Sequence, residues 1–229
     1  ADYDLRLLRQ DYGWQIRNKP SYSTLNLEFK PGGSIYGESG SMVSHTPGLT
    51  IETKLFGGIG RAIKRLLAGE SAFMTRYQAP SGGKLVLAPT LTGDIDHIGL
   101  TNGRVFLSTG AFLAHSEGVT VKTALGGCRS LFGGSGLFVL EATGTGDLFV
   151  TGFGALVEIP VEGSFTVDTG HLVAWDVGLQ YTIKRVGGWK STFLSGEGLV
   201  MDFTGRGKVL VSTRNLSAFI AWLSPWLPR

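Results

Sequence analysis

The sequence predicts an all-β protein built from tandem repeats. Three glycines, Gly40, Gly110 and Gly170, are each followed by an apolar run, and each has a second glycine eight residues further on. Every second glycine opens a run that is rich in residues typical of strands, such as 49–53. The same internal offset at three places indicates a repeat architecture, because one such unit has too little core to be stable alone.

Each predicted repeat then continues in the same order, with a variable stretch, a strand, a glycine-bearing turn and a second strand. The turn glycines lie at 82–83, 144–146 and 205–207. Glycines between two apolar runs predict hairpins, because glycine adopts positive φ without a steric penalty. We therefore divide a single β-repeat domain, residues 1–229, into N-terminal strands (1–30), repeat one (31–100), repeat two (101–160), repeat three (161–215) and a C-terminal tail (216–229).

Two further patterns lie outside the shared repeat. Polar and apolar residues alternate over 4–9 and 22–29, which predicts two half-buried N-terminal strands. In repeat one, residues 59–67 have helical spacing and predict one short inserted amphipathic helix. Its apolar side consists of Ile59, Ile63, Leu66 and Leu67, and its basic side of Arg61, Lys64 and Arg65.

Each of these two unusual segments has two interpretations. The inserted helix either caps the sheet with a solvated basic face or binds an anionic membrane or an acidic partner. The tail, where we predict a short C-terminal helix, either docks into a groove or anchors at an interface through its tryptophans. The predicted membrane or partner surface comprises Ile59, Arg61, Ile63, Lys64, Arg65, Leu66, Trp222 and Trp226.

Composition narrows the possible classes of protein. Hydrophobic residues make up 42% and charged residues 17%, which favours a folded core over a disordered chain. The net charge is +3, and the basic residues are scattered rather than grouped as in nucleic-acid modules. A single cysteine, Cys128, excludes an internal disulfide and fits a reducing compartment. With no signal-peptide pattern and no long apolar run, we expect a soluble cytoplasmic protein.

The motifs predict no enzyme, cofactor or metal. Gly82-Gly83-Lys84 is followed by Leu85 rather than Ser or Thr, so it is not a phosphate-binding loop. The histidines, His45, His97, His115 and His171, form no HxH or HxxxH pair. His45 and His115 occupy the position that Trp175 takes in repeat three, so we interpret both as structural. An RNA-binding ring would need the same basic contact in each repeat, but the position after the turn glycines is Lys84, Asp147 and Lys208.

Several blocks carry a resemblance to a known family. Residues 38–43, 53–70, 170–176 and 195–200 together resemble the Aim-twenty-four family, named for altered inheritance of mitochondria, over a span from about residue 25 to residue 215. That family is similar in fold to the tryptophan RNA-binding attenuation protein, a ring of β-sandwich units. The resemblance implies three such units per chain and a homotrimer that approximates a nine-unit ring. It implies no enzyme activity.

Our main hypothesis is a non-enzymatic oligomeric β-scaffold that acts at a membrane surface or on a protein partner. The alternatives are an RNA-binding ring and a small-ligand site between repeats. If the scaffold assembles, we expect repeat one of one chain to meet repeat three of the next, near residues 209–211 or the tail. An exposed strand edge at each end of the chain would otherwise invite uncontrolled pairing.

Overall fold

The structure is a computed structural model that describes residues 11–55, 73–124, 139–185 and 199–227. These residues are predominantly β, as the sequence predicts. In the described part of the chain one α-helix, α1 (Leu216–Leu223), lies in the tail, and 3-10 turns lie at Thr169–His171 and Ser224–Trp226. The predicted inserted helix at 59–67 and the predicted strand at 4–9 lie outside the described residues. The strands are β1 (Tyr12–Arg17), β2 (Thr24–Phe29), β3 (Gly33–Glu38), β4 (Met42–His45), β5 (Thr50–Leu55), β6 (Phe73–Ala79), β7 (Gly83–Leu87), β8 (Gly93–Ser108), β9 (Phe112–His115), β10 (Val119–Thr123), β11 (Val139–Phe153), β12 (Leu156–Asp168), β13 (Leu172–Asp176), β14 (Gln180–Arg185) and β15 (Leu199–Ser212).

The strands form two sheets. The smaller sheet has the order β1-β2-β7-β4, and the larger follows the path β12-β15-β13-β8-β11-β9-β3-β6-β5, with β10 on β11 and β14 on β15. β2 shows the alternation that its sequence predicts, with Leu25, Leu27 and Phe29 buried. The sequence analysis missed β1, which pairs with β2 from Tyr12 opposite Phe29 to Arg17 opposite Thr24.

The predicted glycine hairpins are wrong. β11 continues through 144–146 and β15 through 205–207, so the chain does not reverse at either place. At 82–83 the chain does turn, but β6 and β7 belong to different sheets and do not pair with each other. The physical reason lies in the partner strand, because β8 pairs with β11 on both sides of the register shift between Gly144 and Gly146. The glycines at 144–146 therefore lie opposite a β-bulge, in which Thr101 and Asn102 of β8 face Thr145 of β11.

The described residues form three hydrophobic core clusters. Trp175, Met201 and Phe203 belong to the cluster that β13 and β15 share. Leu148 and Phe149 are neighbours on β11, and both are completely buried, yet they belong to different clusters. Successive strand residues point to opposite faces, so β11 is buried on both of its faces. The long strands thereby connect the clusters.

β4, β9 and β13 share one pairing geometry. β4 pairs with β7, β9 with the last part of β11, and β13 with the last part of β15. Each pairing skips one residue, which is Val43 in β4, Leu113 in β9 and Val173 in β13. The turns before them are less uniform. Gly40 and Gly110 have φ of +91° and +85°. Gly170 instead lies in a 3-10 turn, where a Cβ would come within 2.1 Å of Asn215 Nδ2.

Candidate functional site

The clearest irregularity of the molecule is the exposure of β4. All four residues of β4 are exposed, whereas all four of β9 and four of the five in β13 are buried. β9 lies between β11 and β3, and β13 lies between β15 and β8. Among the described strands, β4 pairs only with β7. Within the described residues its second edge is therefore open, and an open edge offers unpaired N–H and C=O groups to another strand.

Local conformation does not explain this difference. His45 Nδ1 lies 2.8 Å from the carbonyl oxygen of the following residue, and His115 Nδ1 makes the same contact at 2.7 Å. A side-chain oxygen at the end of each strand, or directly after it, also accepts a backbone N–H in all three places. These bonds run from Lys84 to Thr46 (2.9 Å), from Asp147 to Ser116 (3.0 Å) and from Lys208 to Asp176 (2.8 Å). The three strands differ in what lies beside them.

Where β3 lies beside β9, the contact is aromatic and charged. We call this place the first junction. The His115 ring stacks on Tyr36 with centroids 5.1 Å apart, and the Arg76 guanidinium lies 5.9 Å from the Tyr36 centroid. Glu117 accepts the Ser34 hydroxyl at 2.6 Å and also pairs with Arg76. Burial lowers the pKa of His115, although its bond to the backbone carbonyl acts in the opposite direction, so this imidazole is neutral at pH 7.

Where β8 lies beside β13, the contact is formed by larger aromatic rings. At this second junction Trp175 is 1% exposed and packs against Phe106 and Tyr181 with centroids 5.8 and 5.7 Å away. The Trp175 indole N–H has no hydrogen-bond partner within the described ranges. Arg104 lies 5.9 Å from the Phe106 centroid and forms a 3.1 Å ion pair with Glu141. Both junctions thus combine a contact between rings, stacked at the first and tilted at the second, with a charged pair.

β12 has the complementary open edge. In the described part of the chain it pairs only with β15. Beside this edge the Thr166 hydroxyl donates to Asp202 Oδ1 at 2.7 Å, and Lys184 Nζ lies 2.6 Å from Asp202 Oδ2. The bond from Lys184, and then the bond from Thr166, lower the pKa of Asp202, so its carboxylate stays ionised at neutral pH. We call Thr166, Lys184 and Asp202 the edge cluster.

The tail places the predicted tryptophans at the surface. Trp222 in α1 is 64% exposed, and Trp226 in the following 3-10 turn is 76% exposed. Asn215 caps α1 because its Oδ1 accepts the backbone N–H of Ser217 at 2.8 Å. Phe219 contacts Phe153 with centroids 5.5 Å apart. The remaining predicted surface residues, Ile59, Arg61, Ile63, Lys64, Arg65 and Leu66, lie outside the described residues, so their relation to the tryptophans stays a prediction.

A polar cluster that sequence analysis missed connects β1 to the long strands. The Tyr12 hydroxyl donates to Asp147 Oδ2 at 3.0 Å, and His97 Nε2 lies 2.8 Å from Asp147 Oδ1. Trp14 packs beside His97 with centroids 4.4 Å apart. Burial, reinforced by the charge of Asp147, strongly raises the pKa of Tyr12, so the phenol remains a donor. No local motif signals this cluster, because Tyr12 and Asp147 are 135 residues apart.

The post-glycine positions form no uniform basic surface. Lys84 Nζ lies 3.9 Å from Glu28, Lys208 Nζ lies 2.9 Å from Glu158, and Asp147 occupies the middle position. Across the described ranges, no group of three or more His, Cys, Asp or Glu residues could hold a metal ion. No helix in the described part of the chain is long and apolar enough to span a bilayer.

Fold and edges together define a β-rich protein in which, among the described strands, β4 and β12 each pair with only one other strand, as do β1, β5, β10 and β14. The chain belongs to the family described as mitochondrial biogenesis AIM24, which matches residues 14–214. This finding confirms the resemblance noted in the sequence. An uncharacterized protein of Streptococcus pyogenes serotype M6 is 35% identical over 223 residues, which cover 93% of this chain and 90% of that protein. A crystal structure of a Streptococcus pyogenes protein superposes with a TM-score of 0.80 at 33% identity, and the match covers 93% of this chain and 99% of the other.

Proposed function

We propose that this protein is a non-enzymatic β-scaffold of three tandem β-sandwich units, similar to the units of the tryptophan RNA-binding attenuation protein, that assembles into a homotrimer. The units join head to tail, so that β4 of one copy adds to the open edge of β12 in the next copy. We call this contact the seam. A heterologous contact of this kind either closes into a ring or continues as a filament.

The contrast between β4 and its two counterparts supports the seam. β3 covers β9 and β8 covers β13, so in both cases the strand that covers comes from the preceding unit. β12 is the strand of the third unit that corresponds to β3 and β8, and its matching edge is open among the described strands. A second copy can thus provide a covering strand for β4, as β3 does for β9 and β8 does for β13 within one chain. Closure of the ring also covers the open edges of β4 and β12.

The stoichiometry follows from the resemblance and from closure. If each unit turns by roughly a ninth of a circle, three chains of three units close one ring. The chain mass is 24.4 kDa, which gives an assembly of about 73 kDa. A ring of nine units has no free end, so the assembly stops growing.

The experiment that tests this proposal substitutes Ser44. Its counterparts Ala114 and Ala174 are 0% and 2% exposed, so the seam has room only for a small residue at this position. Ser44 is exposed in the single chain, and Ser44→Arg should therefore leave the fold unchanged. Light scattering behind size exclusion should give a trimer for the wild type and a monomer for Ser44→Arg, with matching circular dichroism.

The matched control is Thr101→Arg, which places the same side chain at an exposed position of β8 away from both open edges. This variant should remain a trimer. A monomeric wild type at micromolar concentration would refute the assembly. A stable dimer would also refute it, because a head-to-tail pair of these edges leaves one edge of each kind open.

The proposed place of action is a membrane surface or a protein partner. The support is the exposed tail, in which Trp222 and Trp226 are joined by exposed Phe219 and Ile220. We assign a part in the same surface to the basic residues Arg61, Lys64 and Arg65 and to the apolar residues Ile59, Ile63 and Leu66. A cytoplasmic location and the lack of a cofactor remain predictions from the sequence.

Sedimentation with vesicles of anionic lipid tests this surface. Each basic residue near an anionic surface contributes about 1 kcal/mol, so Arg61→Glu with Lys64→Glu should abolish binding and leave the trimer intact. Neutral vesicles serve as the control for the charge term. If the wild type ignores both vesicles but binds single-stranded RNA with a steep salt dependence, the RNA-binding ring replaces the membrane role.

A further inference from the structure

The seam has a chemistry that differs from both junctions within the chain. We propose that His45 of one copy docks on the edge cluster of the next copy and takes up a proton when it does so. This inference rests on the head-to-tail assembly proposed above and specifies the contact that stabilises it. The partner is therefore a second copy of this chain, and the two copies each supply part of one site.

The register of the seam follows from the two junctions. The paired residues are Tyr36 with His115 and Gly37 with Ala114 at the first junction, and Phe106 with Trp175 and Leu107 with Ala174 at the second. In both cases the aromatic residue on the covering strand, Tyr36 or Phe106, lies four residues before a turn glycine, Gly40 or Gly110. The same count from Gly170 gives Thr166 on β12. In this register His45 lies opposite Thr166, and Ser44 lies opposite Val167.

The positions of Tyr36, Phe106 and Thr166 are each paired with a charged residue on the neighbouring strand. Tyr36 pairs with Arg76, Phe106 with Glu141 and Thr166 with Asp202. At the first junction this charged residue contacts the following unit, because Arg76 of the first unit forms an ion pair with Glu117 of the second. A charged group at this place can thus accept a counter-charge from the following unit. At the seam that group is the Asp202 carboxylate.

The tautomer of His45 determines what it can offer. Nδ1 lies 2.8 Å from the carbonyl oxygen of Thr46, and because a carbonyl only accepts, Nδ1 must carry a hydrogen. In the neutral ring Nε2 then has no hydrogen and would face the carboxylate with a lone pair. Nε2 can donate to Asp202 only after the ring gains a second proton. The contact therefore binds a proton and turns two polar groups into a charge-assisted pair.

Asp202 has capacity for this third donor. Its carboxylate accepts Thr166 at Oδ1 and Lys184 at Oδ2, and an ionised carboxylate offers about four acceptor sites. The charged residues near His45 in this register are Lys84, which is next to its paired residue Leu85 on β7, and Lys184 across the seam. Lys84 pairs with Glu28, and the Lys184 side chain is 63% exposed, so solvent screens its repulsion of the imidazolium.

The sign of the pH effect follows from proton uptake. If assembly raises the proton affinity of His45, the contact stabilises the trimer at low pH and loses its contribution as the pH rises. Imidazole changes charge between about pH 5 and 8, so the effect falls in this window. Asp202 remains ionised throughout, because its pKa is lowered. Burial lowers the pKa of His115, so the sign of its contribution is opposite, with stability lost as the pH falls.

The test measures the dissociation constant of the trimer by analytical ultracentrifugation between pH 6 and 8. We expect the wild-type constant per contact to rise by about tenfold over this range. His45→Gln and Asp202→Asn should both give a constant that does not depend on pH, because each removes one partner of the pair. His171→Gln, which removes a histidine whose Nδ1 bonds the Ser212 carbonyl within the chain, should keep the full pH dependence.

Several outcomes would overturn the inference. A trimer whose stability is independent of pH, or one that weakens as the pH falls, contradicts proton uptake while the scaffold proposal stands. A pH dependence that survives in Asp202→Asn also contradicts it, and this variant decides the matter if His45→Gln does not assemble. A wild-type chain that is monomeric at every pH overturns the seam and the scaffold together.

Discussion

β4 and β13 have the same pairing geometry, the same skipped residue and the same closing hydrogen bond, yet one is exposed and the other is buried. The difference between them is the strand on the far side, because β8 covers β13 and no described strand covers β4. Burial of a strand is therefore a property of its neighbours. A sequence that predicts the strand does not by itself predict what covers it.

The composition of the two strands agrees with their surroundings. β13 carries Trp175 and Ala174, whereas β4 carries His45 and Ser44 at the same positions. Junctions within a chain form without loss of translational freedom and can bury large aromatic rings such as Trp175. A seam between copies must leave each free chain soluble, so polar residues at its edge limit the exposed apolar area before assembly. This is a physical reason for a polar seam between aromatic junctions.

The largest difference between the two strands is expected at Trp175 of β13 and at His45, the equivalent residue of β4. Trp175→Ala should destabilise the chain by about 3–5 kcal/mol, because it removes a buried indole from the aromatic cluster. His45→Ala should change the free energy of unfolding by less than about 0.5 kcal/mol in a single chain, since its side chain is exposed. Urea unfolding followed by circular dichroism measures both values.

Both variants should be made in the Ser44→Arg background, where the seam makes no contribution to stability. If His45→Ala costs as much as Trp175→Ala in that background, β4 is covered within its own chain. The contrast between covered and open copies of the strand would then be false, and the proposed seam would lose its basis.

A smaller effect sharpens the comparison at the turns. Gly110 has φ of +85° with open space around its Cβ position, so Gly110→Ala should cost about 1–2 kcal/mol through backbone strain alone. Gly170 lacks a positive φ, and its added Cβ would displace the Asn215 side chain that caps α1. Loss of this cap costs about 1 kcal/mol, and the cost falls on the helix.

Hydrogen exchange separates these two effects. Gly170→Ala should increase exchange at the amides of Ser217 and Ala218, which Asn215 holds, with little change in melting temperature. Gly110→Ala should lower the melting temperature and leave α1 unchanged. If both variants lower the melting temperature equally and the amides of α1 remain protected from exchange, the third turn functions like the other two.

The sequence predicted the β class, the alternation of β2 and the short tail helix, because these depend on local φ preferences and on the period of apolar residues. The glycines at 144–146 led to the wrong prediction of a hairpin, since glycine is common both in turns and at β-bulges. Only the continuous pairing of β8 along β11 distinguishes the two. The candidate site was predicted less well, because exposure of β4 leaves no mark in its own apolar pattern.

What the amino-acid sequence determined by itself was therefore the β class and the spacing of glycines that recurs along the chain. The tertiary structure alone decided which edges are covered, which carboxylates are paired and where β1 lies. Tyr12 meets Asp147 across 135 residues, and Thr166 meets Asp202 across 36, so neither contact follows from local spacing. Strand pairing is a long-range choice among many β segments with similar local preferences, and only the packed chain resolves it.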